Sequence, residues 1–533
     1  MKNILKLYIF LSIAVFTSSC TKNFDEINTN PKELTVDKLN SASYGYVVRS
    51  AIYSPCYLRN GSLMQLGQSL FTDIYANYFA TSTPNFLSDR YVLVGSWLNT
   101  YFSSFYSGSA PQIKYAEDFA RQNGLVREQA MMKIWKVYIY QKYTDLFGPI
   151  PYSEFGNMEK EIPYDSQSDI YHSFFLELDS AITVLKANAG TTSAALSSYD
   201  PIYKGNIDKW AKLGSSIRLR LALHVKYVDP VLAKTQAEKA VKDGVITANA
   251  DNAFVTTTTD WTNPYDLITS WGEFRMSSDM ESILKGYLDP RVEKYFQVAV
   301  TPDPTDDFTG IQFNFEGMRN GQTKSNRSAI DFKKKASDMA KPYVILNDKG
   351  PNWPIFRAFE ANFLKAEGAL EGWNMGGTAA DLYKAGIELS LTENSCPLTN
   401  LKGDIYATSN LIPASPGFDW SDPTKIQVPV STVPVAFLTN GTKEQQLEQI
   451  ITQKWIGLYP DSPEAYTERR RTKYPTLYPR LESENIDIPA TSLPTRLPYV
   501  TSEYTNNANQ VKAAVELLGG PDNGVTKLWW DKK

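Results

Sequence analysis

Histidine is nearly absent from this chain, whose 533 residues contain only His172 and His224. Both lie in stretches with helical spacing, where a packed or surface histidine is the ordinary role. A serine or cysteine nucleophile normally needs a histidine base, and a helical zinc protease needs the His-Glu-x-x-His motif, which the chain lacks. The Walker A loop, the glycine-rich dinucleotide loop and the Gly-x-Ser-x-Gly elbow are also missing. These absences argue against most hydrolytic and nucleotide-dependent chemistries.

Cysteine is scarce as well, since Cys20, Cys56 and Cys396 are the only three. A chain of this length has enough apolar residues to fold without disulfide bonds. Cys56 and Cys396 could pair in an oxidising compartment, and their wide separation leaves that open. We expect two buried free thiols.

Long apolar runs are limited to one, Leu7–Phe16, near the start of the chain. Lysines precede this run and three small residues follow it, which is typical of a secretory signal rather than a membrane-spanning helix. Because Cys20 comes directly after the small residues, the pattern is similar to a bacterial lipobox. We predict a signal peptide over 1–19 and acylation of Cys20, which would anchor the chain to a membrane through lipid. The alternative is an ordinary cleaved signal with an incidental cysteine.

Neither sign of charge dominates, because 54 basic and 58 acidic residues give a net charge of −4. Nucleic-acid binding needs a basic face that neutralises phosphates, so we expect no nucleic-acid partner. A catalytic carboxylate pair stays open, because a glycosidase needs only two acids close together. Asp260, Asp266 and Asp279 lie in an irregular stretch, although solvated loop acids are the commoner case.

Helical spacing of apolar residues is what the sequence has in abundance. The predicted helices are Glu128–Tyr143, a helix capped by Ser168 or Asp169 and ending near Gly190, Ile207–Tyr227, a helix from Asp229-Pro230 to Gly244, Ile355–Trp373, Thr378–Leu391 and Lys443–Leu458. Successive helices without intervening strands indicate paired antiparallel helices, as in helical-repeat scaffolds. The expected fold class is mainly α, with long irregular loops and few short strands.

Three long irregular stretches lie between the helices: Asn252–Phe274, Thr301–Arg327 and Lys402–Ala436. Stretches of this kind in a compact protein are usually functional or disordered. Ile311–Phe315 is predicted as a short strand within the second of them.

Acidic residues are concentrated in the second irregular stretch, at Asp303, Asp306 and Asp307. Their carboxylates could bind calcium together with backbone carbonyls. Their spacing does not match the EF-hand loop, which requires a glutamate at its last position. We therefore expect no metal and no cofactor.

A series of motifs follows one another along the whole chain after Cys20. They are Phe24–Pro31; Tyr143–Tyr152; Trp210–Leu213 with Arg218–Ala222; Leu288–Arg291; Glu360–Glu367; Gln453–Ile456, Glu464–Tyr466 and Arg470–Thr472; and Arg496–Tyr499, Glu503-Tyr504, Asn507 and Trp529–Asp531. In this order they resemble the SusD/RagB family, SusD-like branch, whose members are surface lipoproteins of Bacteroidota. The order carries the resemblance, since no single motif is decisive.

The resemblance implies a scaffold of tetratricopeptide-like helix pairs and an outer-membrane lipoprotein that faces the cell exterior. It implies a non-catalytic protein that binds a nutrient oligomer, usually a glycan, and passes it to a SusC-like TonB-dependent transporter. The expected organisation is a signal peptide at 1–19, a lipidated tether at 20–36 and a single helical domain at 37–533.

The family's motif residues are expected to hold the scaffold rather than the ligand. Trp210 and Trp455 fall on apolar helix stripes and are predicted as core rings. The motif arginines are expected either to pair with Glu360 or Glu367 between helices or to be solvated; they are Arg218, Arg220 and Arg470.

A glycan site needs exposed aromatic rings, because a flat ring covers the apolar C–H face of a sugar while polar groups bind its hydroxyls. We therefore look to rings in loops. The candidate ligand-binding residues are Trp261, Tyr265, Trp271, Phe274, Trp353 and Tyr78, with Phe79 and Phe86 beside the last. Core or loop packing is the alternative for each ring. Trp97 and Tyr101 have helical spacing and are predicted as core.

Two other functions remain open from the sequence. The same scaffold could carry a peptide instead of a glycan. A secreted glycoside hydrolase or lyase would need only the carboxylate pair mentioned above.

Overall fold

The computed structural model describes Asn40 and residues 43–157, 159–416 and 428–533. The chain divides into two compact units, 1–44 and 45–533, and of the first only Asn40, Ser43 and Tyr44 are described. The predicted signal peptide, the acylation of Cys20 and the tether therefore lie outside the described residues. The proposed single domain over 37–533 stays a prediction.

Long helices account for most of the described chain. Those of ten or more residues are α1 (Tyr44–Tyr53), α2 (Gly95–Ser104), α3 (Ala110–Gln122), α4 (Val126–Phe147), α5 (Gln167–Ala187), α6 (Ile207–His224), α7 (Pro230–Asp243), α8 (Ala358–Leu370), α9 (Ala379–Glu393), α10 (Lys443–Leu458), α11 (Ser462–Thr472) and α12 (Ala508–Leu518). None of the described helices is both long enough and apolar enough to cross a membrane.

Shorter elements fill the connections. The short α-helices are Gly61–Met64, Thr72–Tyr75, Tyr265–Ser270, Ser278–Gly286, Val292–Tyr295, Lys324–Ala329, Phe332–Lys335, Lys341–Val344 and Thr501–Asn506. Single 3₁₀ turns are Ser54–Cys56, Leu87–Arg90, Asn249–Asp251 and Tyr406–Thr408, and π turns are Gln65–Ser69 and Phe105–Ser109. The strands are β1 (Phe79–Thr81), β2 (Ala253–Val255), β3 (Phe274–Met276), β4 (Asp307–Phe308), β5 (Ile311–Gln312) and β6 (Trp353–Phe356).

The long helices pack as sequential pairs, α4 with α5, α6 with α7 and α8 with α9. Glycines allow close approach between pairs: a Cβ on Gly214 of α6 would lie 2.8 Å from Ile134 Cδ1 of α4. The scaffold is therefore tetratricopeptide-like, as predicted, and it is decorated with long loops and few strands.

Helix ends follow their local sequence. Asp229 caps α7 by accepting a hydrogen bond from the Leu232 amide at 2.9 Å, and Gly244 ends that helix with φ +100°, as predicted. The cap of α5 is Ser166 rather than Ser168 or Asp169, because the Ser166 hydroxyl accepts from the Asp169 amide.

The predicted helix over Ile355–Trp373 is shorter at both ends than expected. Its first residues belong to β6, which pairs with β2, so α8 begins only at Ala358. A short apolar run of this kind is compatible with both a buried strand and a buried helix, so the sequence pattern did not distinguish them.

The strands form three antiparallel pairs within the described residues, β1 with β3, β2 with β6, and β4 with β5. The predicted strand at Ile311–Phe315 is confirmed over Ile311–Gln312. In the β1–β3 pair Thr81 lies opposite Phe274, a register that fixes the position of the loops on either side.

The tryptophans and cysteines that were predicted to be buried lie in the core. Trp210 and Trp455 are buried, as predicted, and each indole nitrogen donates a hydrogen bond at 2.8 Å, to Asp200 and to the Ala76 carbonyl. Cys56 and Cys396 are buried free thiols, which confirms that prediction.

Candidate ligand-binding face

The β1–β3 pair brings two aromatic loops together. Ser82, after β1, donates its backbone N–H to the Glu273 carbonyl at 2.8 Å and its hydroxyl to the Gly272 carbonyl at 2.9 Å. The loop that carries Phe86 therefore runs beside the segment that carries Trp271. Phe86, the Trp97 ring that it contacts, and Trp271 are thus carried by neighbouring segments, and we refer to these three residues as the aromatic face.

Phe86 and Trp97 form the first half of this face, and both are partly exposed. The Phe86 ring lies edge-on to Trp97 at a centroid distance of 5.9 Å and parallel to Phe274 at 6.0 Å. Phe274 itself is only 7% exposed, so it supports Phe86 from below. Phe86 therefore contacts a ring on each side, and the three rings form an apolar platform.

Trp271 forms the second half, at the C-terminal end of the short helix Tyr265–Ser270. Its side chain is partly exposed, and no other described ring stacks on it. Lys333 Nζ donates to the Trp271 carbonyl at 3.3 Å and holds the backbone there. This indole therefore has neither a stacked ring nor a partner for its N–H among the described residues.

Polar groups border the face. Gln65 donates a side-chain hydrogen bond to Glu273, whose pKa is raised by burial although the Lys333 ammonium opposes that shift. Side-chain amide, carboxylate and ammonium groups beside aromatic rings can bind the hydroxyls of a sugar whose C–H face covers the rings.

Four of the candidate rings are enclosed, contrary to the exposure that their place in loops suggests. Tyr78 is fully buried and donates its hydroxyl to the Trp455 carbonyl at 2.6 Å. Tyr265 is 1% and Trp353 5% exposed, and their rings lie parallel at 6.3 Å. Phe274 is enclosed because β3 pairs with β1. These loops fold back onto the helical scaffold, so their rings contribute to packing in this structure.

Trp261 is the other partly exposed candidate, but it does not lie on the same platform. Its ring stacks on Tyr53 of α1 at 4.7 Å and an interplanar angle of 9°. One face of the indole is therefore covered. Of the six candidate rings, the structure leaves Trp261 and Trp271 accessible, and as ligand contacts all six stay predictions.

Trp97 was expected in the core and is instead partly exposed. It lies in the first turn of α2, whose stripe becomes buried only from Leu98 and Tyr101 onward. The signal available in the sequence was Gly95-Ser96, which places this tryptophan at a helix start rather than in mid-stripe.

One cleft was not anticipated from the sequence. It is a polar cleft of about 480 Å³, a volume in the range of small-molecule sites. Tyr343, Arg357 and Glu393 are among the residues that line it. Arg357 donates to the Leu458 carbonyl at 2.7 Å and lies 3.5 Å from Glu393, whose pKa is raised by burial although Arg357 opposes that shift.

Charged motif residues lie in the interior of the scaffold. Arg220 donates to both oxygens of Glu360, at 2.7 and 2.8 Å, and Arg471 donates to both oxygens of Glu367 at 2.7 Å. All four side chains are at most 1% exposed. The predicted pairing is thus confirmed for Arg220 and Glu360.

The other two motif arginines find different partners. Arg218 pairs with Asp179 at 2.9 Å, and Arg470 donates to the Thr495 backbone carbonyl at 2.9 Å and to that of Asp145 at 2.6 Å. These bonds join elements far apart in the sequence, so the motif arginines hold the scaffold.

The buried histidine belongs to the same interior network. Burial lowers the pKa of His224, but the Glu464 and Asp145 carboxylates outweigh it and raise that pKa to about 9. His224 Nε2 lies 3.2 Å from Glu464, which also accepts from Lys454 at 3.1 Å. Because cations already pair with these carboxylates and the cluster is enclosed, a polymeric substrate has no access to it.

Sequential helix pairs decorated with loops define a helical-repeat scaffold. A family model described as SusD-like, Susd and RagB outer membrane lipoprotein, matches residues 26–531. The chain belongs to this family. No match was found among curated proteins.

Solved structures of the same family superpose over nearly the whole chain. A chitin-binding SusD homologue from Flavobacterium johnsoniae is 35% identical, covers 92% of this chain and 98% of its own, and has a TM-score of 0.82. A SusD homologue from Bacteroides ovatus is 29% identical over 93% of this chain and 100% of its own, with a TM-score of 0.81. One from Bacteroides thetaiotaomicron is 28% identical over 92% and 99%, with a TM-score of 0.80.

Proposed function

We propose that this protein is a non-catalytic surface lipoprotein that binds a glycan oligomer and delivers it to a SusC-like TonB-dependent outer-membrane transporter. The observation that carries the proposal is the aromatic face, where Phe86, Trp97 and Trp271 are partly exposed beside Gln65 and Glu273. Family membership supports the binding role.

The chemistry of the face favours a glycan over a peptide. Flat rings without an enclosing pocket suit the repeated apolar faces of an extended sugar chain. A peptide bound in extended form would use an open strand edge, and the strands here are two to four residues long. The chitin-binding homologue, 35% identical, supports the same class of ligand.

The delivery role rests on the proposed anchorage. Lipid at Cys20 would hold the helical body at the outer membrane, with its ligand between this body and the transporter. The outer-membrane lipoprotein family supports this location, and orientation toward the cell exterior is part of the proposal.

The proposal is tested by binding of soluble glycans, with chitooligosaccharides first, to the wild-type protein and to Trp271→Ala. Loss of one stacking ring is expected to weaken binding about tenfold. Tyr46→Ala is the matched control, because Tyr46 is an exposed ring that contacts Tyr199 and Arg49 rather than the aromatic face.

Two outcomes would contradict the assignment. Unchanged binding by a folded Trp271→Ala protein, with loss in Tyr343→Ala, would place the ligand in the polar cleft. Failure of every glycan to bind, together with capture of peptides from a library, would replace the glycan by a peptide. Co-purification of a TonB-dependent transporter from the native membrane tests delivery separately.

A further inference from the structure

Residues at the ends of three long helices and residues of the β2–β6 pair line the polar cleft. Arg357 is the residue before α8, Glu393 is the last residue of α9, and Tyr459 follows α10. Phe254 of β2 and Pro354 of β6 also line it. Much of the wall therefore comes from regular elements of the scaffold.

Four aromatic side chains line the cleft: Phe254, Tyr295, Tyr343 and Tyr459. The rings of Tyr295 and Tyr459 pack at a centroid distance of 4.5 Å, and the Tyr459 hydroxyl donates to the Tyr295 carbonyl at 3.2 Å. The Tyr343 carbonyl accepts a hydrogen bond from the Thr269 hydroxyl at 3.3 Å. A ligand in the cleft would therefore meet apolar ring surfaces that neighbouring contacts hold in place.

The charged side chains Arg357 and Glu393 compensate each other. They lie 3.5 Å apart and are 6% and 13% exposed. Arg357 also donates to the Leu458 carbonyl at 2.7 Å, and Glu393 accepts from the Asn252 side chain at 3.3 Å. The other charged residue that lines the cleft is Lys294, which is exposed. Because the buried pair is already neutralised, the cleft suits a neutral polar ligand better than an ion.

Three polar groups of the cleft have no hydrogen-bond partner among the described residues. Tyr295 is 3% exposed, and its hydroxyl is buried and unpaired. The Tyr343 hydroxyl and the side-chain nitrogen of Asn352 are unpaired as well, although Asn352 Oδ1 accepts from the Thr257 amide at 3.1 Å. A buried hydroxyl without a partner is uncommon in folded proteins and indicates a ligand or water at that position.

We propose that the polar cleft is a binding site for a neutral mono- or disaccharide, separate from the aromatic face, none of whose three residues lines it. The rings would cover the apolar C–H faces of the sugar, while the hydroxyls of Tyr295 and Tyr343 and the amide of Asn352 would bind its hydroxyls. The volume of about 480 Å³ is that of a site for a small ligand, whereas a long chain needs an open face.

The test is calorimetric titration of the full-length protein with short saccharides: glucose, galactose, N-acetylglucosamine, cellobiose and chitobiose. We expect at least one to bind with a Kd of about 1 mM, as for a ligand of this size. Tyr295→Phe keeps the ring and removes the unpaired hydroxyl, so it should weaken binding about three- to tenfold. Tyr343→Ala removes a ring from the wall and should weaken binding about tenfold.

Tyr138→Phe is the matched control, because the Tyr138 hydroxyl on α4 is also buried without a partner but does not line the cleft. This variant and Trp271→Ala should both bind the short saccharides as the wild type does. The result for Trp271→Ala separates failure of this site from failure of the aromatic face.

Three outcomes would overturn the proposal. The first is the absence of binding by every short saccharide at about 10 mM. The second is unchanged binding by folded Tyr295→Phe, which keeps the packing of its ring and remains informative if Tyr343→Ala does not fold. The third is a loss in Tyr138→Phe or Trp271→Ala equal to that in Tyr295→Phe.

Discussion

At the scale of residues, the charged side chains of the interior are stabilised by partners of opposite charge. Glu360 accepts two hydrogen bonds from Arg220 and lies 3.8 Å from Lys454, all three being 1% exposed. A buried ion pair adds little stability over an apolar pair, but removing one partner leaves the other charge without compensation in the interior.

We therefore expect Glu360→Ala to lower the free energy of unfolding by about 3–5 kcal/mol, measured by urea denaturation. Glu388→Ala is the control, because Glu388 is 41% exposed and pairs with Lys384 at 3.8 Å on the surface. Its loss should change stability by less than about 1 kcal/mol. Equal effects of the two substitutions would contradict the assigned role of Glu360.

His224 predicts a dependence of stability on pH. Its folded pKa of about 9 lies above the ordinary value of 6.5, because Glu464 and Asp145 favour the charged ring despite burial. The stabilisation is complete below pH 6.5 and is lost as pH rises to about 9, an effect of about 3 kcal/mol. The measurement is the free energy of unfolding as a function of pH.

The two histidines provide their own control for this effect. His224→Gln should remove the decline between neutral pH and about pH 9, whereas His172→Gln, on an exposed side chain, should keep it. A decline that persists in His224→Gln would assign it to other groups.

At the scale of elements, close helix contacts depend on glycine. Gly457 of α10 faces Phe359 of α8, and a Cβ at that position would lie 2.7 Å from the ring atom Cε2. Gly457→Ala is expected to lower the free energy of unfolding by about 1–3 kcal/mol, because the ring or the helix must shift. Thermal and urea unfolding would measure the change.

Gly95→Ala is the matched control for this prediction. Gly95 is exposed at the start of α2, with nothing within 4 Å of an added Cβ. Alanine there should be neutral or stabilise by up to about 1 kcal/mol. A destabilisation equal to that of Gly457→Ala would show that contact with α8 is not the cause.

The positions of most long helices could be predicted from the sequence, because a helix begins and ends according to residues close to it in the chain. The span Lys443–Leu458 is confirmed to the residue, because Thr442 caps α10 and Gln445 completes a capping box. Asp229 and Gly244 mark both ends of α7 by the same kind of local rule.

The site was less predictable, because burial of a loop ring depends on partners far along the chain. Tyr78 bonds to a carbonyl that is 377 residues away, and nothing near Tyr78 in the sequence indicates this. The Glu281 carboxylate likewise accepts a hydrogen bond from the Gly317 amide, 36 residues away, across a loop whose course helical or strand periodicity does not specify. The exposure of Trp97 was not predicted, because Trp97 has the same helical spacing as the buried residues of α2 but lies in the first turn of that helix, where it stays partly exposed.

At the scale of the whole molecule, the proposed location depends on acylation of Cys20, which stays a prediction. Cys20→Ala is expected to abolish labelling by a palmitate analogue and release the protein from the membrane fraction. Cys396→Ala, which removes a buried free thiol, should leave both unchanged. Labelling that persists in Cys20→Ala would contradict the lipid anchor.

The central claim is that the helical scaffold captures a glycan without altering it. The most direct measurement is equilibrium binding of a panel of soluble glycans to the purified protein, followed by mass spectrometry of the recovered ligand. We predict saturable binding of at least one glycan, recovered at its original chain length. Recovery of shortened products would establish an enzyme, and the absence of binding across the panel would contradict a glycan-binding role.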